Sequence, residues 1–297
     1  MRFDVVLTNP PFQDRTKRGR TPHKLWLEFT QASLEHWLAD DGVLAQVSPA
    51  SFRSPSNRVL ELMKSYDTEW IDLDVDHHFP DVGSTFATYA IRRSATGGAT
   101  SIYQGAESIE VFLDSTLFYL PTDLSREGLA VHRKVVFESS PKLPVEKDYV
   151  TCHNILLRRS DTLSREQTDR HVYPVFHTNR QIWWSSIRQE FADARKVMWT
   201  RSGYTKPFYD AGVLGGTDMV YFVRVSSDDE GNALAHNLNL ALMQYVYATA
   251  KWSGFGNERV FHALPDLPRD RCLSDDELFD LFALTDKEAG HVRSVVG

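Results

Sequence analysis

Cysteine is nearly missing from this chain: two in 297 residues, Cys152 and Cys272, far apart in sequence. No disulfide framework and no cysteine-based metal site can be built on them. The eleven histidines do not fall at ligand spacing either, so no metal centre is expected. No apolar run approaches the roughly eighteen residues of a membrane span. The N-terminus carries a charged strand-and-turn pattern where a signal peptide would need an apolar stretch. These absences predict a cytoplasmic protein with no membrane contact. Glycine-rich cofactor cradles are lacking as well. The candidates are Gly97-Gly98, Gly215-Gly216 and Gly254-Phe255-Gly256, and none follows an apolar strand with an acidic-x-Gly-x-Gly pattern. Gly97-Gly98 sits in a polar loop, and Gly254 follows a helical pattern. No internal repeat or low-complexity tract stands out, and the length suffices for two domains.

What is present begins at the N-terminus. Phe3-Asp4-Val5-Val6-Leu7-Thr8 reads as a buried strand, and it runs into Asn9-Pro10-Pro11-Phe12. Two consecutive prolines hold such a turn rigid. The Asn9 side-chain oxygen and the Pro10 carbonyl are hydrogen-bond acceptors on that rigid turn. An amine conjugated to a purine ring is a poor nucleophile, because its lone pair is delocalised. Two acceptors for its N–H groups draw the nitrogen toward a tetrahedral, more reactive shape. Phe12 can stack on the base, which must leave the duplex to reach this pocket.

Apolar residues recur at helical spacing from Lys24 to Leu38, and Asp40-Asp41-Gly42 is expected to stop that helix. A second strand follows at Val43–Pro49, a helix at about Ser56–Ser65, a strand at Trp70–Val75 and another at Phe86–Arg92. Strand, helix, strand, helix, strand predicts a parallel α/β unit, with ligands at the carboxyl ends of its strands.

The order Phe-Asp-Val-Val-x-x-Asn-Pro-Pro-Phe, then Leu25-Trp26-Leu27-Glu28-Phe29, then Asp41-Gly42-Val43-Leu44 and Pro49-Ala50-Ser51-Phe52, resembles the catalytic half of gamma-class N6-adenine DNA methyltransferases of restriction-modification systems. The resemblance implies a catalytic turn of Asn9, Pro10, Pro11 and Phe12, with Asn9 and Pro10 holding the target amine. His78-Phe79-Pro80 resembles the segment whose Phe lies on the other side of the flipped base, which implies Phe79. It also implies S-adenosylmethionine as methyl donor, with Phe29 against its adenine and Leu25 beside it. Gly215–Val223 resembles a strand of the target-recognition domain, Leu238–Ala250 a helix that follows it, and Leu273–Glu288 the closing helical pair. In that pair Ser274 with Glu277, and Thr285 with Glu288, have the spacing of capping boxes.

The family's donor-binding motifs precede the Asn-Pro-Pro turn, and almost nothing precedes Asn9 here. The resemblance therefore implies a partial Rossmann-like methyltransferase sheet at 1–100, followed by an α+β target-recognition domain with C-terminal helices at 101–297. The break is sought between 94 and 130. In the family sheet the Asn-Pro-Pro strand is central, so Val5, Val6 and Leu7 are expected on an open edge. Such an edge invites pairing. A second polypeptide, a missing N-terminal segment or self-association would each cover it.

A net charge of −7 opposes nucleic-acid binding only if it is spread evenly. Residues 131–206 hold fourteen Lys/Arg against eight Asp/Glu, an excess of six, which leaves −13 for the rest. A basic segment beside an acidic body suits a face for double-stranded DNA, since phosphate contacts supply much of the affinity. Arg180, Arg201 and Lys206 in that segment, and Lys17, Arg18 and Arg20 after the turn, are the expected DNA contacts. Trp183-Trp184 can stack or wedge. The expected function is site-specific adenine-N6 methylation of DNA by an enzyme that needs its donor-binding part from elsewhere. A non-catalytic DNA-binding subunit or decoy, and a protein glutamine-amide methyltransferase with a similar turn, stay open as alternatives.

Overall fold

The computed structural model describes residues 2–12, 24–79, 85–95, 97–178, 181–201, 206–252 and 258–297. The chain divides into two compact units, Met1–Leu129 and Ala130–Gly297.

In the first unit, β1 (Phe3–Thr8) is followed by α1 (Leu25–Ala32), which continues as a π-helical turn through Trp37. Next come β2 (Leu38–Pro49), a 3₁₀ turn at Ala50–Arg53, α2 (Arg58–Ser65), β3 (Tyr66–Asp72), β4 (Phe86–Ala95), β5 (Thr100–Gln104) and β6 (Glu107–Val111). Asn57 caps α2: its side chain accepts the Val59 N–H at 3.0 Å. All six strands form one sheet in the order β1-β2-β4-β3-β5-β6.

Two expectations are corrected here. The unit is mixed rather than parallel, because β4 lies between β2 and β3 and runs antiparallel to both. β1, β2, β3 and β5 still point the same way. Asp40-Asp41-Gly42 does not separate helix from strand either. β2 starts at Leu38, and a bulge takes up residues between the pairs Phe3–Leu38 and Val5–Val43. Asp41 adopts φ 61° there, and a Cβ on Gly42 would stand 3.0 Å from both the Ala39 and Phe3 carbonyl oxygens. That close approach disfavours a side chain, since the neighbouring backbone would have to give way.

The sheet is covered unequally. α1 and α2 pack on the face bearing Leu44, Gln46, Ile71, Tyr89 and Ile91, all buried. A polar network pins α1 to it. Gln46 Nε2 donates to Thr30 Oγ1 (2.8 Å) and Tyr89 Oη (2.9 Å), and Thr30 donates to the Trp26 carbonyl (2.9 Å). Burial pushes the Tyr89 hydroxyl up to about 12. On the opposite face, Val43, Ala45 and Val47 are only partly covered. Beside them on β1, Phe3, Val5 and Leu7 are 50%, 65% and 83% exposed. Among the described residues β1 pairs only with β2, so it is the expected open edge.

α3 (Arg126–His132) spans the division between the units. The second unit continues with α4 (Leu156–Arg159), β7 (Leu163–Ser164), β8 (Tyr173–Phe176), β9 (Ile182–Ser185), β10 (Lys196–Thr200), β11 (Phe208–Asp210), β12 (Gly215–Gly216) and β13 (Val220–Arg224). The single strand expected over 215–223 is thus two short strands joined by a turn, closed by Val220 N–H to the Thr217 carbonyl at 3.0 Å. They belong to different sheets, a three-stranded β11-β10-β13 and a four-stranded β12-β8-β9-β7. Phe176, Phe191, Met198, Val220 and Phe222 form one buried cluster, and Cys152, Leu163, Val175 and Trp183 another.

Five helices close the chain: α5 (Asp228–Asn237), α6 (Ala241–Thr249), α7 (Glu258–Phe261), α8 (Asp275–Leu281) and α9 (Asp286–Val296). Both capping boxes form as expected. Ser274 Oγ accepts the Glu277 N–H while Glu277 accepts the Ser274 N–H, and Thr285 and Glu288 repeat the exchange. Among the described residues, no helix is long and apolar enough to cross a membrane.

Candidate functional site

The carboxyl ends of β1, β2 and β3 lie at one end of the first unit's sheet, with the start of β4 among them. The Asn9 turn leaves β1 there. Pro10 is buried, whereas Asn9 and Pro11 are exposed, so Pro10 anchors the turn and the Asn9 side chain faces outward. No partner for the Asn9 amide is found among the described residues.

Three rings converge beside this turn. Phe12 lies 5.3 Å from Phe86 between ring centroids, and Phe79 lies 4.6 Å from the same ring. Phe86 itself is buried, whereas Phe12 and Phe79 are half-buried. The topology places Phe86 by pairing it with Pro49 at the end of β2. Its amide donates to Asp76 Oδ1 at 2.6 Å, and the Asp76 charge acts on the buried Arg53. Burial lowers the Arg53 guanidinium to about 10, against the opposing pull of Asp76, so it remains charged at neutral pH. Its Nε donates to the Ala50 carbonyl at 3.3 Å. Phe86, Asp76 and Arg53 carry no motif of their own. Phe86 opens an apolar strand like any other, and the Asp76 and Arg53 contacts arise from tertiary structure.

The other expected site residues are more dispersed. Phe29 and Leu25 sit on α1, partly buried, and the Phe29 ring meets Trp37 edge-on at 5.8 Å. No contact ties Phe29 to the turn, and no Gly-x-Gly turn follows a strand among the described residues. Lys17, Arg18, Arg20 and Arg180 lie outside the described residues. Arg201 follows β10 with its amide bound to the Met219 carbonyl at 2.7 Å, and its side chain is partly buried. Lys206 is exposed. Trp183 is buried, with the His177 ring stacked on it at 3.7 Å.

The basic segment is less free than its count implies. Arg170 is paired with Asp161, Arg188 with Asp193, Arg195 with Asp228 and the buried Lys196 with Asp210. Arg158, Arg159 and Arg165 are exposed and meet no carboxylate among the described residues.

The fold is similar to that of a DNA-bound protein. The DrdV–DNA complex matches with a TM-score of 0.52 over 98% of this chain and 44% of that chain, at 10% identity. Other matches include the M protein of the type I restriction enzyme EcoKI (TM-score 0.27, 20% identity, 34% of this chain and 25% of that chain). The type IIL restriction-modification enzyme MmeI in complex with DNA also matches (TM-score 0.38, 10% identity, 99% and 55%). The match spans less than two thirds of the length of each of these chains. No protein-family profile and no curated protein matches the chain.

Proposed function

We propose that this chain carries the amine-holding turn and the DNA-recognition part of an adenine-N6 DNA methyltransferase of the restriction-modification kind. The observation that carries this reading is the Asn9-Pro10-Pro11-Phe12 turn at the carboxyl end of β1, with Phe12 and Phe79 gathered on Phe86.

In this reading Asn9 Oδ1 and the Pro10 carbonyl accept the two N–H groups of a flipped adenine. The amine's lone pair is then released from the ring and points toward an electrophile. Stacking against Phe12 and Phe79 offsets the few kcal/mol spent on extruding the base. Phe86, held by Asp76, fixes the spacing of the two rings. The methyl group comes from S-adenosylmethionine, most of whose site lies outside the residues described. The open β1 edge and the apolar row Phe3, Val5 and Leu7 support a neighbour that adds a strand and covers this face. That neighbour is a second polypeptide or an N-terminal segment, and it brings the donor site.

The test is nucleoside analysis of DNA from cells that express this chain together with the genes that flank it. N6-methyladenine should appear, and N9A should abolish it without loss of protein. Methylation that persists in N9A would refute the assignment. DNA binding without methylation would favour a non-catalytic recognition subunit. Failure to bind any duplex at low salt would favour a protein substrate.

A further inference from the structure

The four-stranded sheet of the second unit gathers hydrogen-bonding side chains at one of its ends. β7, β8 and β12 run one way and β9 the other. The carboxyl ends of the first three and the amino end of β9 therefore meet. Arg165 leaves β7 there, His177 and Thr178 leave β8, Thr217 and Asp218 leave β12, and Gln181 enters β9.

This end is built in two tiers. The lower tier is fixed. Trp183 is buried in the apolar cluster with Cys152, Leu163 and Val175. The His177 ring stacks on it, and His177 Nδ1 hydrogen-bonds Thr217 Oγ1 at 2.9 Å. Asp218 is turned inward: its carboxylate accepts the Asn154 amide at 2.6 Å and lies 3.7 Å from the His153 Nε2. Its negative charge is thereby held within the unit. The backbone of the hairpin is closed by His177 N–H to the Gln181 carbonyl (2.9 Å) and Gln181 N–H to the Thr178 carbonyl (2.8 Å).

The upper tier is uncommitted. The side chains of Thr178 and Gln181 have no partner among the described residues, and Gln181 is exposed. Arg165 is exposed without a carboxylate, yet close enough for its charge to act on His177. Arg158 and Arg159, also without a carboxylate, end α4, which packs on β7. Elsewhere on this unit the exposed arginines 170, 188, 195 and 224 are each neutralised by an acid. Among the described residues, the exposed arginines of this unit that meet no carboxylate thus lie around this sheet.

We propose that this end of the four-stranded sheet is the surface with which the second unit reads duplex DNA. Thr178 and Gln181 contact base edges, Arg158, Arg159 and Arg165 contact phosphates, and the His177–Trp183 stack positions the hairpin. The chemistry agrees with that occupant: a glutamine amide pairs in two-point fashion with adenine N6 and N7 in the major groove. Phosphate contacts from arginine set the register, while Thr178 and Gln181 carry the sequence information. The inference rests on the reading of this unit as a DNA-recognition part, and it names the surface and the roles.

The full chain is titrated with a fluorescent 30-base-pair duplex of random sequence between 50 and 200 mM salt. It is also used to select from a pool of duplexes with a randomised core. The triple variant R158A/R159A/R165A should bind the random duplex at least tenfold more weakly at 50 mM salt. The slope of log K against log salt should fall in magnitude by about 2–3, since each phosphate contact contributes about 0.9. R188A, whose arginine is already paired, should bind within twofold of the wild type. Q181A should keep its affinity for the random duplex and lose roughly tenfold in preference at one base pair of the selected site. Wild-type binding with an unchanged triple variant and an unchanged Q181A preference would overturn this surface while leaving DNA recognition intact. No binding of any duplex by the wild type at 50 mM salt would overturn both. Circular dichroism of each variant distinguishes weakened binding by a folded protein from unfolding.

Discussion

Replacing Asp210 by alanine should unfold the second unit more readily than any substitution on the exposed basic segment. Lys196 is fully buried, and its three ammonium protons have three acceptors: the Ala192 and Ala194 carbonyls at 3.0 Å and Asp210 Oδ2 at 2.7 Å. The Asp210 carboxylate also accepts amide N–H groups from Gly212, Val213 and Leu214 at 3.2–3.4 Å. The pair therefore joins β10 to β11 and shapes the loop that leads into β12. D210A leaves a buried ammonium beside two carbonyls and removes the acceptor of three loop amides. The expected cost is about 3–5 kcal/mol, the usual figure for breaking a buried pair from one side. Against a total stability of roughly 5–15 kcal/mol this is a large fraction. It corresponds to about 6–20 °C in melting temperature for a unit of this size. The double variant K196M/D210N removes the stranded charge and keeps one side-chain acceptor for the loop. It should cost clearly less than the sum of K196M and D210N. Differential scanning calorimetry of the full chain reads the transition of the second unit directly. A loss below about 1 kcal/mol in D210A, or strict additivity in the double variant, would refute the reasoning.

Two further outcomes follow from the same kind of reasoning. The substitutions V5K and L7K replace exposed side chains, so each should change stability by less than about 0.5 kcal/mol, as exposed sites do. They should also reduce self-association seen by light scattering. L44A on the covered face of the same sheet should cost about 2–5 kcal/mol, and a comparable loss in L7K would mean that the β1 face is already occupied. Burial holds His177 below the usual histidine range, with Arg165 acting in the same direction and Asp218 against it. The unfolded chain thus takes up a proton more readily near its ordinary value of about 6.5, and stability should decline as pH falls below that value. H177N should flatten this decline in urea titrations between pH 7 and 5; an unchanged slope would show that His177 does not contribute.

Much of the candidate site was legible because it is local. The strand Phe3–Thr8 and its proline turn, the capped helices at Ser274 and Thr285, and the helix from Leu25 each follow from neighbours a few residues apart. The open edge at β1 was expected from the family resemblance, in whose sheet the corresponding strand is central. Strand direction was not legible. Nothing in Phe86–Ala95 says that it inserts antiparallel between β2 and β3, because that choice depends on which neighbour buries Tyr89 and Ile91 against α1 and α2. The bulge at Asp41-Gly42 was misread as a helix stop for a related reason. Its geometry is set by the approach of the Phe3 carbonyl, which is distant in sequence.

The basic segment shows the division most plainly. Sequence determined that residues 131–206 carry an excess of positive charge. Tertiary structure decided which charges are paired, since Asp193 and Asp228 neutralise Arg188 and Arg195, while Arg158, Arg159 and Arg165 meet no carboxylate among the described residues. Sequence likewise determined a rigid turn with two acceptors at Asn9 and Pro10. Only the fold gathered Phe12 and Phe79 on Phe86. Hydrogen-bond chemistry belongs to residue type and is written in the chain, whereas proximity between distant residues is created when apolar surface is buried.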